Sequence, residues 1–276
     1  MLFSIIVPFY NNTAYLTRLF ITLEDYINRD CEIIIIDDNS SLTEYYALIG
    51  KVESYNANNI RVLRNEKNYG PSFSRQLGVN LAIGGFIAFL DADDGWVKNR
   101  AFILCDFMLE KNIDICGGGH DQIDAEYFFE IRNKKSSSFK NIESLSFLNF
   151  LFKNYYATSS VIIRKEIFSV DRFNTKLRFS EDYELWRRVV LNRNALLLKP
   201  SGSLCFKHVY VPDCNNLGLS SQTKKMLNSE IYGILMLISN SNVPKRLKFL
   251  VPPAALFSIL KYFKRIIHIE VLKLLR

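Results

Sequence analysis

The first 90 residues alternate short apolar runs with longer segments whose apolar residues recur at helical spacing. The apolar runs predict strands at residues 4–8, 31–36, 60–63 and 86–90, and the longer segments predict helices at 13–28 and 71–82. The run at 31–36 contains consecutive isoleucines, a pattern typical of a strand buried on both faces. This alternation predicts an α/β fold with a mainly parallel sheet flanked by helices.

Beyond residue 100 the pattern is less regular. It predicts helices at 102–111, 144–153 and 181–191, strands at 113–117, 127–131 and 161–164, and a polar loop at 133–138. The segment 201–221 has the Gly, Asn and Ser content of a mobile loop able to close over a ligand. A boundary near residues 240–244 divides the chain into a domain at 1–240 and a tail at 241–276.

Two clusters of carboxylates follow two of the predicted strands. Asp37 and Asp38 come after the second strand, and Asp91, Asp93 and Asp94 come after the fourth. Ligands of open α/β sheets bind outside the carboxyl ends of the strands, so both clusters are expected to face one site. Paired carboxylates suit Mg²⁺ or Mn²⁺, with ligand phosphates completing the coordination. The alternative is that each acid only caps the helix or turn that follows it.

The net charge of the chain is concentrated in its tail. The whole sequence carries 35 Lys and Arg against 28 Asp and Glu, a formal net charge of +7. Residues 245–276 contain eight basic residues and one acid, which also gives +7, so the remainder is balanced. This distribution argues against a nucleic-acid-binding surface across the fold and indicates a local basic patch.

That basic tail also has helical periodicity. Its apolar face is predicted to hold Leu256, Leu260, Phe263, Ile267, Val271 and Leu274, and its basic face Lys261, Lys264, Arg265, His268 and Arg276. An apolar face backed by basic residues predicts a helix lying on an anionic membrane surface. The alternatives are a helix docked on its own domain or on a second subunit.

The five cysteines are odd in number and form no Cys-x-x-Cys pair. The first residues lack the basic start and cleavage site of a secretory leader, and no run reaches the roughly 20 apolar residues of a membrane span. We therefore expect reduced thiols and a cytoplasmic protein, peripheral on the inner face of the cell membrane if the tail binds there.

Five short motifs occur in order along the chain. They are Ser-Ile-Ile-Val-Pro-Phe-Tyr-Asn (4–11), Ile-Ile-Asp-Asp-Asn-Ser (35–40), Asn-Tyr-Gly-Pro-Ser-Phe-Ser-Arg (68–75), Phe-Leu-Asp-Ala-Asp-Asp (89–94) and Ser-Glu-Asp-Tyr-Glu-Leu-Trp (180–186). Together they resemble family 2 inverting glycosyltransferases, in particular those of bacterial surface polysaccharides. The resemblance implies the GT-A (Rossmann-like) fold, with a nucleotide-binding half at 1–100 and an acceptor and catalytic half at 101–240.

The resemblance implies nucleotide-binding roles for residues in the first three motifs. Pro8 and Tyr10 would frame the nucleobase, and Asp38 would hydrogen-bond it. Gly70 would let the backbone approach the nucleotide closely, and Arg75 would help to hold the nucleotide half. No glycine-rich phosphate loop follows the first strand, so we expect a bound cation to balance the diphosphate charge.

The last two motifs imply the catalytic roles. Asp91 would contact the ribose and bind the metal together with Asp93, and Asp94 would support this shell or meet the donor sugar. Asp182 matches the general base of the family, with Glu181 beside it, in an apolar setting supplied by nearby aromatic residues. The alternative for the last pair is an acidic first turn of a helix, which the helix dipole favours.

Three further features have less certain roles. His208 lies where many relatives carry a Tyr-Arg-x-His segment and is a tentative metal ligand, but the Phe-Lys pair before it departs from that pattern. His120 and His268 receive no role, and the glycines at 117–119 are interpreted as a loop. The aromatic residues at 147–156 either stack on a sugar or lipid carrier or form helical core.

The implied reaction transfers one sugar, with inversion, from a UDP-sugar or another nucleotide-diphosphate sugar to a saccharide hydroxyl. The membrane-binding tail would suit a polyprenyl-diphosphate-linked acceptor, as in O-antigen or capsule synthesis. One alternative is a nucleotidyltransferase, although residues 8–13 offer no glycine- and basic-rich triphosphate loop. The other is a non-catalytic nucleotide-binding protein of the same fold.

Overall fold

A computed structural model describes residues 2–133, 141–206 and 223–274. The strands are β1 (Phe3–Phe9), β2 (Glu32–Asp37), β3 (Ile60–Arg64), β4 (Phe86–Phe89), β5 (Gly95–Trp96), β6 (Ile115–Gly117), β7 (Asp121–Ile123), β8 (Asn141–Leu145), β9 (Ile162–Arg164), β10 (Ala195–Lys199) and β11 (Ser203–Phe206). The α-helices are α1 (Leu16–Leu23), α2 (Leu42–Glu53), α3 (Pro71–Leu81), α4 (Arg100–Glu110), α5 (Phe128–Asn133), α6 (Phe147–Phe152), α7 (Glu181–Val189), α8 (Thr223–Ser239), α9 (Lys245–Lys248) and α10 (Val251–Leu274).

The central sheet has eight strands in the order β3-β2-β1-β4-β9-β6-β10-β8. The first four are parallel to one another, β9 is antiparallel to both of its neighbours, β6 and β10 are parallel, and β8 is antiparallel at the edge. A second sheet has the order β5-β11-β7. The prediction of a mainly parallel α/β sheet is therefore confirmed.

The isoleucine run of β2 shows why this sheet is covered on both sides. Ile33 and Ile35 belong to one core cluster with residues of α1 and α4, whereas Ile34 and Ile36 belong to a second cluster with residues of α3 and α7. Successive side chains of a strand point to opposite faces, so an unbroken apolar run needs helices above and below it.

Three predicted elements differ from the structure. Residues 127–131, predicted as a strand, lie mostly in α5, where Phe128 and Arg132 are one helical turn apart and both face inward. The helix predicted at 144–153 is shorter, because β8 pairs with β10 through Leu145 and α6 begins after a capping box at Ser146. The predicted loop at 201–221 contains β11; its residues 207–221 lie outside the described part of the chain.

Helix α2 follows the first acid cluster and was not predicted. The Ser41 side chain caps it by accepting a hydrogen bond from the Glu44 backbone N–H. Leu48 is the buried residue of this helix, and six of its twelve residues are exposed. Because Leu42 and Tyr46 are exposed, its apolar residues do not form one inward stripe that would stand out in the sequence.

The C-terminal helices pack on the domain. One apolar cluster joins α6 to α8 and to the start of α10 through Phe147, Leu151, Ile234, Leu237, Val251 and Ala254. Glu230 of α8 accepts hydrogen bonds from Ser258 and Lys261 of α10 at 2.7 and 3.1 Å. The start of the tail therefore docks on its own domain, one of the alternatives for this segment. Across the described residues, no helix is both long and apolar enough to cross a membrane.

Candidate functional site

The acid clusters meet at one edge of the central sheet. Strand β1 lies between β2 and β4, and its register pairs Phe9 with Asp37 and Ile6 with Phe89. The segments that leave these three parallel strands therefore emerge side by side. Strand β9 is antiparallel to β4, so the segment that precedes it, Thr158–Ser160, reaches the same edge. The topology thus adds a polar segment to the predicted acids.

Asp38 binds the backbone at the start of α3. Its buried carboxylate accepts hydrogen bonds from the Asn65 side chain at 2.7 Å and from the backbone N–H groups of Tyr69 and Gly70 at 2.9 and 2.7 Å. Three donors to one carboxylate fix the 65–70 turn rigidly against the end of β2. In this structure Asp38 shapes the expected nucleotide site, and a base that hydrogen-bonded to Asp38 would have to donate to carboxylate oxygens that already accept these bonds.

Gly70 is required by its backbone conformation. Its φ is +90°, which L side chains rarely adopt, and it precedes Pro71, the first residue of α3. The Arg178 side chain lies over it, 3.5 Å from where a Cβ would be, and donates to Asn68 at 2.6 Å. The turn therefore needs a glycine for its backbone conformation, and the Arg178 side chain covers it.

Pro8 and Tyr10 lie at the end of β1, where the resemblance places them. Pro8 is half-buried within the strand, and Tyr10 is 49% exposed. An aromatic ring that is half exposed beside a rigid backbone turn can stack on a planar base. Their roles in framing a nucleobase stay predictions.

Arg75 joins the two halves of the site. Its guanidinium donates to Asp91 at 2.7 Å and to Glu181 at 2.6 Å, although Glu181 is 106 residues away in sequence. The two carboxylates raise the pKa of Arg75 above its ordinary value, outweighing the burial that opposes its charge. The Arg75 guanidinium therefore holds the Asp-Ala-Asp segment that follows β4 (residues 91–93, a D-x-D motif) against the start of α7.

Glu181 and Asp182 open α7, but their surroundings differ. Glu181 is buried, and burial raises its pKa to about 7, with Asp182 adding to the rise and Arg75 opposing it. Asp182 is less buried and accepts a hydrogen bond from the Thr158 hydroxyl at 3.0 Å. The more accessible, oriented carboxylate is the better placed of the two to receive a proton from a ligand.

The predicted apolar setting of Asp182 is only partly aromatic. Trp186 is fully buried in the core. Its ring packs edge-on against Phe173 and is tilted against Phe89. Tyr183 lies under the Arg187 guanidinium, whose carbon is 3.4 Å from the ring centroid. These residues therefore fix α7 from behind.

Asp94 lies deeper than its two neighbours in the acid cluster. It accepts a 2.5 Å hydrogen bond from the Ser159 hydroxyl, and Ser159 also accepts from the Asp91 backbone N–H at 3.0 Å. Burial and the charges of Asp91 and Asp93 raise the pKa of Asp94 well above its ordinary value. The cluster therefore has more negative charge than its surroundings stabilise.

Asp91 and Asp93 suit a divalent cation. Both side chains are less buried than Asp94. Their negative charges raise the pKa of Asp94, and a bound cation would oppose that rise. No group of three His, Cys, Asp or Glu side chains converges to hold a metal in the described ranges, so a cation here would need oxygens from its ligand. His208, the tentative third ligand, lies outside the described residues.

Sequence reasoning missed three side chains of this site. Ser159 and Thr158 hold Asp94 and Asp182, and His120 lies 3.7 Å from Asp94 through its Nε2 atom. None of them belongs to a motif, and they come from loops that only the tertiary fold brings to this edge. Of the neighbouring glycines predicted as a loop, Gly117 instead ends β6, and a Cβ on Gly118 would meet the Leu198 carbonyl oxygen at 2.4 Å.

The aromatic segment at 147–156 is mainly core. Phe147, Phe150 and Tyr156 are buried, and the Tyr156 hydroxyl donates to the Leu196 carbonyl at 2.9 Å. Phe152 packs edge-on against Phe257 of α10. The structure therefore favours the alternative of helical core for these residues over contact with an acceptor.

Comparisons with solved structures show the same architecture. The crystal structure of S. aureus TarS 1–349 in complex with UDP-GlcNAc has a TM-score of 0.70 and 22% identity, covering 93% of this chain and 72% of that one. The mannosyltransferase PcManGT from Pyrobaculum calidifontis, in complex with GDP-Man and Mn²⁺, has a TM-score of 0.65 and 12% identity, covering 94% of this chain and 73% of that one. The predicted GT-A fold is thus confirmed.

Sequence relatives agree with that fold. The amylovoran biosynthesis glycosyltransferase AmsB of Erwinia amylovora is 25% identical over 194 residues, which cover 66% of this chain and 62% of the relative. The UDP-Glc:alpha-D-GlcNAc-diphosphoundecaprenol beta-1,3-glucosyltransferase WfgD of Escherichia coli is 26% identical over 208 residues, which cover 75% of this chain and 76% of the relative. The chain thus spans less than two thirds of the first of these relatives.

A sequence model of one protein family matches more than half of the chain and shows the family. The sequence model described as Glycosyl transferase family 2 matches residues 4–170, more than half of the chain. That range includes β1, β2 and β4, whose ends carry the acids of the site. The chain belongs to glycosyl transferase family 2.

Proposed function

We propose that this chain is an inverting glycosyltransferase that moves a sugar from a nucleotide-diphosphate sugar to a saccharide hydroxyl. One observation carries the proposal: Arg75 ties Asp91, at the nucleotide side, to Glu181, which adjoins the partly exposed carboxylate of Asp182. A diphosphate site and a proton acceptor thereby share one rigid ion network at the edge of the sheet. Transfer from a diphosphate to a hydroxyl needs both.

In the proposed reaction the acceptor oxygen attacks the anomeric carbon of the donor from the face opposite the diphosphate. The bond between that carbon and the diphosphate oxygen breaks, and the hydroxyl proton passes to Asp182. The Thr158 hydroxyl holds the Asp182 carboxylate in place at 3.0 Å. A single displacement inverts the anomeric centre, so an α-linked donor gives a β-linked product.

The cation belongs to the same proposal. Asp93 and Asp91 would hold Mn²⁺ or Mg²⁺, and His208 stays a candidate ligand. A cation held there would supply charge neutralisation for the leaving diphosphate without a proton transfer. Pro8, Tyr10 and the Gly70 turn would hold the nucleobase and its ribose.

The proposed donor is a UDP-sugar and the proposed product a bacterial surface polysaccharide. Support comes from the similar proteins, which include an amylovoran biosynthesis enzyme, a glucosyltransferase named for UDP-Glc and a TarS structure in complex with UDP-GlcNAc. The WfgD name also includes a diphosphoundecaprenol acceptor, which suits a lipid-linked acceptor for this chain. Because PcManGT is in complex with GDP-Man, GDP-sugars are the second class of donor to be tested.

The decisive experiment titrates the protein calorimetrically with UDP, GDP, dTDP and CMP, with and without Mn²⁺. We expect one nucleotide to bind more tightly with metal, and Asp93→Ala to remove that difference. Asp182→Asn should retain nucleotide binding but lower turnover about 100- to 10,000-fold, as for loss of a general base. Asp106→Asn, an exposed acid on α4, is the matched control.

The same experiment separates the alternatives. A nucleotidyltransferase would release diphosphate from a nucleoside triphosphate, and a binding protein would take up the nucleotide with no turnover of any donor. Full sugar transfer by Asp182→Asn would show that another group is the base.

We further propose that residues 241–276 hold the enzyme on the inner face of the cell membrane. The exposed face of α10 presents Leu256, Leu260, Phe263 and Ile267, each more than half exposed, with Lys264 exposed beside them. An exposed apolar stripe flanked by cations suits the boundary of an anionic bilayer. The opposite face, which begins at Val251 and Ala254, is the one that packs on the domain.

Because the start of α10 is docked, point substitutions test this better than deletion of the tail. The triple variant Leu256→Ser, Leu260→Ser, Phe263→Ser should lose sedimentation with phosphatidylglycerol-containing vesicles. Ile83→Ser, which removes an equally exposed residue outside the tail, should not. Unchanged vesicle binding by the triple variant would remove the membrane role of this face.

A further inference from the structure

Arg178 lies over the turn that precedes α3. It comes just before α7 in the chain, yet its Cγ atom is 3.5 Å from the position that a Cβ of Gly70 would take. Its guanidinium donates a hydrogen bond to the Asn68 side chain at 2.6 Å, although 110 residues separate the two. Arg178 is an exposed residue. The segment that leads to the proposed base therefore supplies a cation to the turn where the nucleotide is proposed to bind.

The segment that carries Arg178 is fixed to α3. The Phe173 backbone N–H donates to the Gln76 side chain at 2.9 Å, and the Ser72 hydroxyl donates to the Asn174 carbonyl at 3.0 Å. Phe173 and Gln76 are both buried, so the first of these bonds is shielded from water. Because the backbone is held a few residues before it, the Arg178 side chain extends from a defined point beside α3.

The Arg178 guanidinium has donors to give to a ligand. An arginine carries several N–H donors, and the hydrogen bond that this one forms goes to Asn68. Within the described part of the chain no carboxylate pairs with it. Arg75, by contrast, is buried and is occupied by Asp91 and Glu181. Arg178 is thus the more available of the two arginines at this edge of the sheet.

Arg178 lies on the side of the site proposed for the nucleobase. The Asp38 backbone N–H donates to the Phe9 carbonyl at 2.8 Å, and the Asp38 carboxylate accepts from the Gly70 N–H at 2.7 Å. Tyr10, which follows Phe9 and is half exposed, therefore lies close to Gly70. Because the Arg178 stem covers Gly70, a base placed between Tyr10 and that turn would lie beside the guanidinium.

The donors of a guanidinium select among nucleobases. Arginine donates hydrogen bonds and cannot accept them, and its planar fork suits oxygen acceptors. Uracil and guanine each present a carbonyl oxygen where cytosine and adenine present an amino group, which is itself a donor. An arginine beside the edge of the base therefore favours uracil over cytosine and guanine over adenine.

We propose that Arg178 is a specificity-determining residue that donates a hydrogen bond to a carbonyl oxygen of the nucleobase, which is uracil in the proposed UDP-sugar donor. The inference rests on the proposed use of a nucleotide-diphosphate sugar and names the group that selects its base. Asn68 orients the guanidinium for this contact by accepting one of its N–H groups. The diphosphate of the nucleotide also accepts hydrogen bonds, and a matched pair of nucleotides separates it from the base.

The test measures calorimetric affinities for UDP and CDP, which share the ribose and the diphosphate and differ in the edge of the base. GDP and ADP form the corresponding purine pair. Wild type is compared with Arg178→Ala, Arg178→Lys and Asn68→Ala in the presence of Mn²⁺. Lys176→Ala, which removes another exposed cation from the same segment, is the matched control.

We expect wild type to bind UDP more tightly than CDP. Arg178→Ala should weaken UDP binding about tenfold, as for one hydrogen bond from a charged donor, and should leave CDP within about twofold of wild type. Arg178→Lys keeps a charge and a donor but not the planar fork, so its preference for UDP should be intermediate. Asn68→Ala should lower the same preference, and Lys176→Ala should match wild type. If GDP is the nucleotide that binds, the same loss is expected for GDP relative to ADP.

Three outcomes would overturn the proposal. Equal losses for UDP and CDP would assign Arg178 to the diphosphate that both nucleotides carry. Affinities within about twofold of wild type for all four nucleotides would show that Arg178 contacts none of them. Tighter binding by Arg178→Ala would show that the side chain blocks the site. A wild-type protein that binds none of the nucleotides would instead contradict the proposed function.

Discussion

Glu181 makes the stability of this protein depend on pH in a direction opposite to that of most carboxylates. Burial raises its pKa from the ordinary 4.5 to about 7, while the Arg75 guanidinium 2.6 Å away opposes the rise. The folded protein therefore binds this proton more tightly than the unfolded chain does. Stability from this group is present below pH 4.5 and is lost as pH rises through 7.

The size of the effect follows from the two pKa values. One pKa unit corresponds to about 1.4 kcal/mol, so complete titration of Glu181 changes the free energy of unfolding by about 3 kcal/mol. Between pH 5 and pH 8 the linkage relation gives about 2–3 kcal/mol. Asp94 and His120 also have shifted pKa values, so wild type alone would report a sum over several groups.

Glu181→Gln isolates the contribution of the single group. The amide has nearly the same shape, can accept from Arg75 through its oxygen, and does not titrate. Urea unfolding at pH 5, 6, 7 and 8 would be followed by the fluorescence of Trp96 and Trp186, both of which are buried. We expect the stability of wild type relative to the variant to fall by about 2–3 kcal/mol from pH 5 to pH 8.

A stability difference that stays constant across this range would refute the reasoning. It would mean that Arg75 keeps Glu181 ionised throughout, so that the ion pair outweighs burial. A difference that grows towards pH 8 would have the same meaning, because it requires a pKa below the ordinary value. Glu53→Gln, an exposed carboxylate at the end of α2, should show no pH-dependent difference from wild type.

The other predictions concern the supports of the site. Asp38→Ala should lower the free energy of unfolding by about 2–3 kcal/mol in urea titrations, because three donors lose one buried acceptor. Gly70→Ala should cost about 1–2 kcal/mol in the same assay, since φ is +90° there, and an unchanged midpoint would contradict this. Glu230→Ala should speed amide hydrogen exchange in α10, because it removes the acceptor of Lys261 and the counter-ion 3.6 Å from buried Arg187. Equal exchange in wild type and variant would show that apolar packing alone holds α10.

The local sequence pattern predicted the structure correctly where burial depends on a single strand or helix. The isoleucine run of β2 predicts burial on both faces, because apolar residues at every position cannot be satisfied by cover on one side. Pattern failed at 127–131, where five residues rich in aromatic side chains suit a strand and a helix equally. It also missed α2, whose apolar residues do not form one inward stripe.

The tail was also predicted correctly in part. Its helical periodicity was evident in the sequence, but which face docks was not. The more apolar predicted face, with Leu256, Leu260 and Phe263, is exposed, and the face beginning at Val251 and Ala254 packs on α6 and α8. Docking depends on complementary shape, and small residues such as Ala254 let the helices approach closely.

The sequence by itself determined the α/β class, the family motifs and the acids at the ends of β2 and β4. Each of these depends on residues that are neighbours in the chain or repeat with the period of one strand or helix. Only the tertiary structure decided that Arg75 reaches Glu181, that Thr158 and Ser159 support the acids, and that His120 faces Asp94. Those contacts join residues up to 106 positions apart, and no local pattern encodes a distance set by how the strands are ordered in the sheet.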